Sequence, residues 1–133
     1  MSKTILFVDD DEDDLFVLAD VLEHVGAEVN AVFAENGVKA IEYLNEKMQS
    51  AQLPCLIVLD LNMPILDGKA TFKKIRNELN LASIPVIIFT SSHNPNDQMM
   101  FSSLGVEFIT KPNDFSKLST IVGHMVNVCC DSC

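Results

Sequence analysis

Five polar residues stand where hydrophobic runs end. Asp9 and Asp10 follow Ile5–Val8, Asp60 follows Cys55–Leu59, Thr90 follows Val86–Phe89, and Lys111 comes just after Glu107–Ile109. Three carboxylates at one place repel one another by roughly 3 kcal/mol per pair at 5 Å and an effective dielectric near 20. They must take up a proton or hold a cation. Hard oxygen donors with room for water suit Mg²⁺, which keeps part of its hydration shell and often bridges to phosphate. The Lys111 ammonium and the Thr90 hydroxyl are donors suited to phosphate oxygens. A carboxylate can itself attack phosphorus to give an acyl phosphate, with positioning and charge neutralisation supplying most of the catalysis. The set therefore points to phosphoryl chemistry on an aspartate.

Other chemistries fit less well. Asp9, Asp11 and Asp13 imitate the start of a calcium loop, but Asp14 stands where that loop needs glycine and Asp20 where it needs glutamate. Neither a Walker-type phosphate loop nor Gly-x-Gly-x-x-Gly is present, and no His, Ser or Cys has a recognisable catalytic partner. Asp9–Asp11 could serve as the Asp-x-Asp of an aspartate-nucleophile phosphohydrolase. That chemistry usually needs Thr or Val where this chain has Asp13, and a longer chain or cap. The acids Asp11–Asp14 read as solvated groups at a helix N-terminus.

The elements that must bring these residues together are legible from periodicity. Five short β-type runs (Thr4–Val8, Val29–Phe33, Cys55–Leu59, Val86–Phe89, Glu107–Ile109) alternate with apolar stripes at helical spacing. The stripes are Leu15, Leu18, Leu22, Val25; Val38, Ile41, Leu44, Met48; Phe72, Ile75, Leu79; and Phe115, Leu118, Val122, Met125, with a shorter helix within Asp97 to Leu104. Each reads as a core-facing stripe. Gly26, Gly37, Gly68 and Gly105 fall near helix ends, and Pro54, Pro85 and Pro112 border strands. Cys55–Leu59 and Val86–Phe89 are apolar throughout, as expected of parallel strands covered on both faces. Strict β-α alternation predicts a doubly wound α/β domain with a five-stranded parallel sheet and five helices. In such sheets ligands bind beyond the carboxyl ends of the strands.

Composition sets outer limits. A chain of 133 residues forms one compact domain with a core of its own. No apolar run exceeds five residues, so membrane insertion is not expected, nor is a signal peptide, and the expected location is the cytoplasm. The net charge of −10 disfavours direct nucleic-acid binding. Six consecutive acids, Asp9 to Asp14, account for most of it. Cys55 reads as a buried reduced thiol, and Cys129, Cys130 and Cys133 as a C-terminal tail of residues 129–133 beyond a domain of residues 1–128. A tail metal site from Cys129, Cys130, Cys133 and His124 lacks a paired second knuckle.

At these residues the chain resembles the receiver domains of bacterial two-component response regulators, the CheY-like group. The matching segments are Ile5–Asp11, Leu59–Gly68 (with Asp60, Asn62, Met63, Pro64, Asp67), Ile88–Ser92 and Phe108–Pro112. The resemblance runs to about Val128, and the stretches after Thr90 and Lys111 look closest to stand-alone receivers partnered with phytochrome-like kinases. It implies the flavodoxin-like strand order 2-1-3-4-5 and a phosphorylation-controlled signalling switch. Asp60 would accept a phosphoryl group from a sensor histidine kinase or a histidine phosphotransfer protein. Mg²⁺ would be bound by Asp10, by Asp9 through water, by Asp60, and by the main-chain carbonyl of Asn62. Lys111 and Thr90 would contact the phosphoryl group, Phe108 would follow Thr90 as the switch aromatic, and the Lys111–Pro112 peptide bond would be cis. The family often has tyrosine where this chain has Phe108. With no output domain expected after the receiver, output would pass to a downstream partner protein or by onward phosphotransfer, and a homodimer is left open. The only catalysis implied is the domain's own phosphorylation and dephosphorylation. A phosphorylation-independent adaptor on the same fold is the remaining competitor.

Overall fold

The computed structural model describes residues 3–26, 28–63, 65–79 and 81–131. Five strands, β1 (Lys3–Val8), β2 (Val29–Ala34), β3 (Leu56–Leu59), β4 (Val86–Thr90) and β5 (Glu107–Thr110), form one sheet in the order β2-β1-β3-β4-β5. All four pairings are parallel. Helices α1 (Glu12–Val25), α2 (Gly37–Gln49), α3 (Gly68–Lys73), α4 (Pro95–Ser103) and α5 (Phe115–Asp131) follow the strands in turn. A π turn, Lys74–Glu78, prolongs α3. The Arg76 guanidinium fastens it by donating to the carbonyls of Leu81 and Ile84 at 2.9 Å, while packing 5.0 Å from the Phe72 ring.

Strand alternation sorts side chains into two cores. Ile5, Phe7, Leu56, Val58, Ile87 and Phe89 pack against α1 and α5 through Leu18, Leu22, Val122 and Met125. Leu6, Val8, Ile57, Leu59 and Ile88 pack against α2, α3 and α4 through Ala40, Leu44, Phe72, Ile75 and Phe101. Strands β3 and β4 are buried from end to end and β1 from Ile5 onward, whereas the edge strands β2 and β5 are mostly half-exposed. The stripes overshoot at helix termini, where Val25, Val38, Met48 and Phe115 are exposed.

Side-chain caps start the helices. Asp11 accepts from the amides of Asp13 and Asp14, Asn36 from Lys39, Asp67 from Ala70, and Asn94 from Asn96. Gly37 is required sterically, since a Cβ there would collide with the Thr71 hydroxyl where α2 meets α3.

Two sequence expectations are corrected. The C-terminal segment does not leave the fold at residue 129: α5 continues to Asp131, and Cys129 is fully buried. Cys55 is not a free thiol but is bonded to Cys129, with Cα atoms 5.0 Å apart, inside the range a disulfide spans. The physical reason is packing. Both residues belong to the core under α1 and α5, so a contact across 74 residues of sequence brings the sulfurs together. Cys133 and the Cys130 side chain lie outside the described residues. Among the described residues, no helix is long and apolar enough to cross a membrane.

A cross-link closing a loop of this length stabilises by about 2–4 kcal/mol. Reduction, or Cys55→Ala, is therefore expected to lower Tm by on the order of 10 °C. Thiol titration of the denatured chain should give at least two fewer thiols without reductant than after it. Four thiols in both cases would show that the pair is not bonded.

Candidate functional site

The chain runs from β1 to β2 on one side of the sheet and returns to β3 on the other side of β1. The crevice opened by this reversal lies beyond the carboxyl ends of β1 and β3, where the first and third acids stand. Backbone pairing continues one residue past each strand: the Asp9 amide donates to Ala34 O and the Asp60 amide to Val8 O, both at 3.0 Å. Asp9 and Asp60 are thus held as rigidly as the strands, and both are buried; Asp10 is exposed. One carboxylate oxygen from each of Asp9, Asp10 and Asp60 lies within 4.8 Å of the others.

Lys111 reaches this cluster from the turn after β5, its amide bonded to Thr90 O at 2.8 Å. Its ammonium donates to Asp9 Oδ2 at 2.6 Å, Asp14 Oδ2 at 2.7 Å and Asp60 Oδ2 at 3.4 Å. The other oxygens of the buried acids take backbone donors: Asp11 N to Asp9 Oδ1 at 3.0 Å, and Asn62 N to Asp60 Oδ1 at 3.4 Å. Burial pushes the Asp9 carboxyl up to about 6 despite Lys111 and the Asp11 amide, which pull it down. Burial would lower Lys111, but its hydrogen bonds to Asp14 and Asp9 and the charges of Asp60 and Asp9 outweigh it and raise the ammonium above its ordinary value.

Thr90 is fully buried, and its hydroxyl accepts from the Ser92 amide at 3.3 Å. Phe108 pairs with Ile88 across β4 and β5 and belongs to the α2–α3–α4 core, its ring 6.3 Å from that of Phe101. By strand alternation Thr90 lies on the same face as Ile88 and Phe108. The Lys111–Pro112 bond is not cis; every described peptide bond is trans. Trans is the intrinsically favoured isomer for a bond before proline, and Lys111 reaches all three carboxylates with it.

The acids after β3 are positioned by Gly68. It is buried, its amide donates to Leu61 O at 3.1 Å, and a Cβ there would strike the Asp60 carbonyl oxygen. Beside it, a cleft of about 470 Å³ is lined by Asp10, Asn62, Asp67, Lys69 and Asp97, with Lys69 and Asp97 ion-paired. Sequence reasoning gave Gly68 only a place near a helix end, and it read Asp14 as a solvated acid. The missed signal is spacing: Asp14 lies four residues before the buried Leu18, so it extends the inward stripe of α1 by one turn toward the rim.

Residues 5–123 match the response regulator receiver domain family. The chain is a response regulator receiver domain. It is 30% identical over 123 residues to response regulator Rcp1 of Synechocystis, covering 90% of this chain and 84% of that protein. Among solved structures, this receiver domain resembles the phosphorylated cyanobacterial phytochrome response regulator RcpA, at TM-score 0.86 and 29% identity over 100% of this chain and 97% of that one. It also resembles the Mn²⁺-bound form of Rcp1, at TM-score 0.79 and 30% identity over 92% and 90% of the two chains. Receiver domains of response regulators act as phosphorylation-dependent signalling switches. The oxygen donor set of Asp9, Asp10 and Asp60 in this receiver fits a hard divalent cation.

The raised carboxyl of Asp9 has a pH signature. Between about pH 4 and about pH 6 the folded domain keeps a proton that the unfolded chain has lost, so this residue makes stability fall as pH rises through that window. Urea unfolding of the native protein and Asp9→Asn at pH 4, 5 and 6 should show that the variant gains stability relative to the native protein with rising pH. A constant difference between them across the range would show an ordinary carboxyl.

Proposed function

We propose that Asp60 is the phosphoryl acceptor, taking the group from a phosphohistidine of a sensor histidine kinase or a histidine phosphotransfer protein. The observation that carries this reading is a buried carboxylate at the end of β3, one of three acids clustered within 4.8 Å, facing the Lys111 ammonium. An Asp60 oxygen attacks phosphorus, the P–N bond breaks, and the imidazole leaves with its electron pair. Backbone pairing to Val8 fixes Asp60 for in-line approach, so little ordering entropy remains to be lost in the reaction. Asp10, Asp60 and the Asn62 carbonyl would hold Mg²⁺, with Asp9 assisting through water. The bound cation would neutralise charge developing on the phosphoryl oxygens.

The product carries nearly two negative charges. Lys111 takes one phosphoryl oxygen and the Thr90 hydroxyl another. Moving Thr90 toward the phosphoryl group vacates space on the face it shares with Phe108. Phe108 then turns inward and reshapes the surface of α4, β5 and α5, to which a downstream partner protein responds. With no hydroxyl on Phe108, the signal passes by packing. The similarity to Rcp1 and RcpA favours a phytochrome-class kinase as the donor. The domain's own phosphorylation and dephosphorylation are the only reactions proposed.

Acetyl phosphate with Mg²⁺ should add one phosphoryl group, seen as a single mass increment that maps to Asp60 and is absent in Asp60→Ala. Full labelling of that variant would remove the assignment. Thr90→Ala should still be phosphorylated but should lose the chemical-shift changes around Phe108 that beryllofluoride induces in the native domain. Identical changes in both proteins would show that Thr90 does not couple the site to Phe108.

A further inference from the structure

We infer that Asp14 is a positioning residue that tethers the Lys111 ammonium away from the acceptor and so limits how readily Asp60 takes up a phosphoryl group. The inference rests on Asp60 being the acceptor. An ammonium has three N–H donors, and here all three are engaged by carboxylates. The bonds to Asp9 and Asp14 are short, at 2.6 and 2.7 Å, whereas the bond to Asp60 is at 3.4 Å, the loose end of hydrogen-bonding distance. Lys111 is thus drawn toward α1, where Asp14 and Lys111 line one cavity of about 310 Å³ with Val17, Phe89 and Phe115.

A phosphoryl group on Asp60 needs a closer donor than the loose one Lys111 gives that carboxylate, and moving the ammonium toward it lengthens one of the two short bonds. The burial of the two tight partners decides which. The Asp9 side chain is 5% exposed, and losing its cation would leave a buried charge without compensation. The Asp14 side chain is 40% exposed, so water can replace the ammonium at little cost. Asp14 is therefore the partner that yields, and while bound it competes with the incoming group. Being half-exposed, the pair is weak, and releasing it should change rates only about two- to fivefold.

The test uses the intact protein with acetyl phosphate and Mg²⁺. A P–O bond of the donor breaks, acetate leaves with the electron pair, and the new P–O bond forms at Asp60. Asp14→Asn, or Asp14→Ser if the amide perturbs α1, should speed phosphorylation about two- to fivefold, mainly through a lower half-saturating donor concentration. Asp14→Glu should restore the slower native behaviour. Asp13→Asn removes the same charge from the neighbouring position, and among the described ion pairs none joins Asp13 to Lys111. It should leave the rate unchanged. Without any donor, ¹⁵N NMR of the Lys111 ammonium should show faster proton exchange in Asp14→Asn than in the native protein. An unaltered ammonium signal, a rate for Asp14→Asn at or below native, or an equal gain in Asp13→Asn would overturn the tether. Failure of the native protein to accept phosphate would instead overturn the acceptor assignment, and the ammonium signal would still report on the tether.

Discussion

The site is governed by a shortage of positive charge. Two buried carboxylates, Asp9 and Asp60, end adjacent parallel strands, and their backbone pairing does not let them move apart. One ammonium serves both and a third, Asp14, besides. The raised carboxyl of Asp9 shows that this compensation is incomplete. A site with too little positive charge and oxygen donors within 4.8 Å of one another gains from a divalent cation. A change of charge at Asp60 would act on that same undercompensated set. The open charge balance and the cost of burying the acids are the same electrostatic fact.

The fold makes that cost bearable. Two apolar cores clamp the central strands on both faces, so the rim can be electrostatically unfavourable while the sheet beneath it remains ordered. The glycines act at this boundary. Gly68 lets the start of α3 rest against the Asp60 carbonyl, and Gly37 lets α2 close on Thr71. At both contacts the lack of a side chain permits an approach that apolar packing then holds.

What the sequence disclosed follows from these forces. Apolar periodicity reports burial, so strand and helix positions were legible, and the exhaustively apolar runs of β3 and β4 marked the centre of the sheet. The acids and the lysine at strand ends could be read because a parallel sheet gathers its carboxyl termini on one rim. Thr90 was legible as a polar strand end, whereas a switch role for Phe108 was implied only by family resemblance, since nothing in its spacing distinguishes it from an ordinary strand residue. Two features stayed hidden because tertiary contact sets them. Asp14 looked like one acid among six, and only the hydrogen bond it accepts from Lys111 singles it out. The Cys55–Cys129 bond depends on where α5 lies along the sheet. The trans bond before Pro112 is the intrinsically preferred isomer, which the family pattern argued against.

The cross-link makes the two ends of α5 mechanically unequal. Its C-terminal turn is bonded covalently to the residue that precedes β3, whereas its first residue, Phe115, is 54% exposed beside the Lys111 cavity. A helix of 17 residues is about 25 Å long. It is packed against the sheet along its length, but only its far end is also fixed covalently. Any tilt is smallest near Cys129 and grows with distance along the axis, so displacement is greatest in the turns nearest the acidic rim. The anchored end supplies the resistance against which that motion is measured.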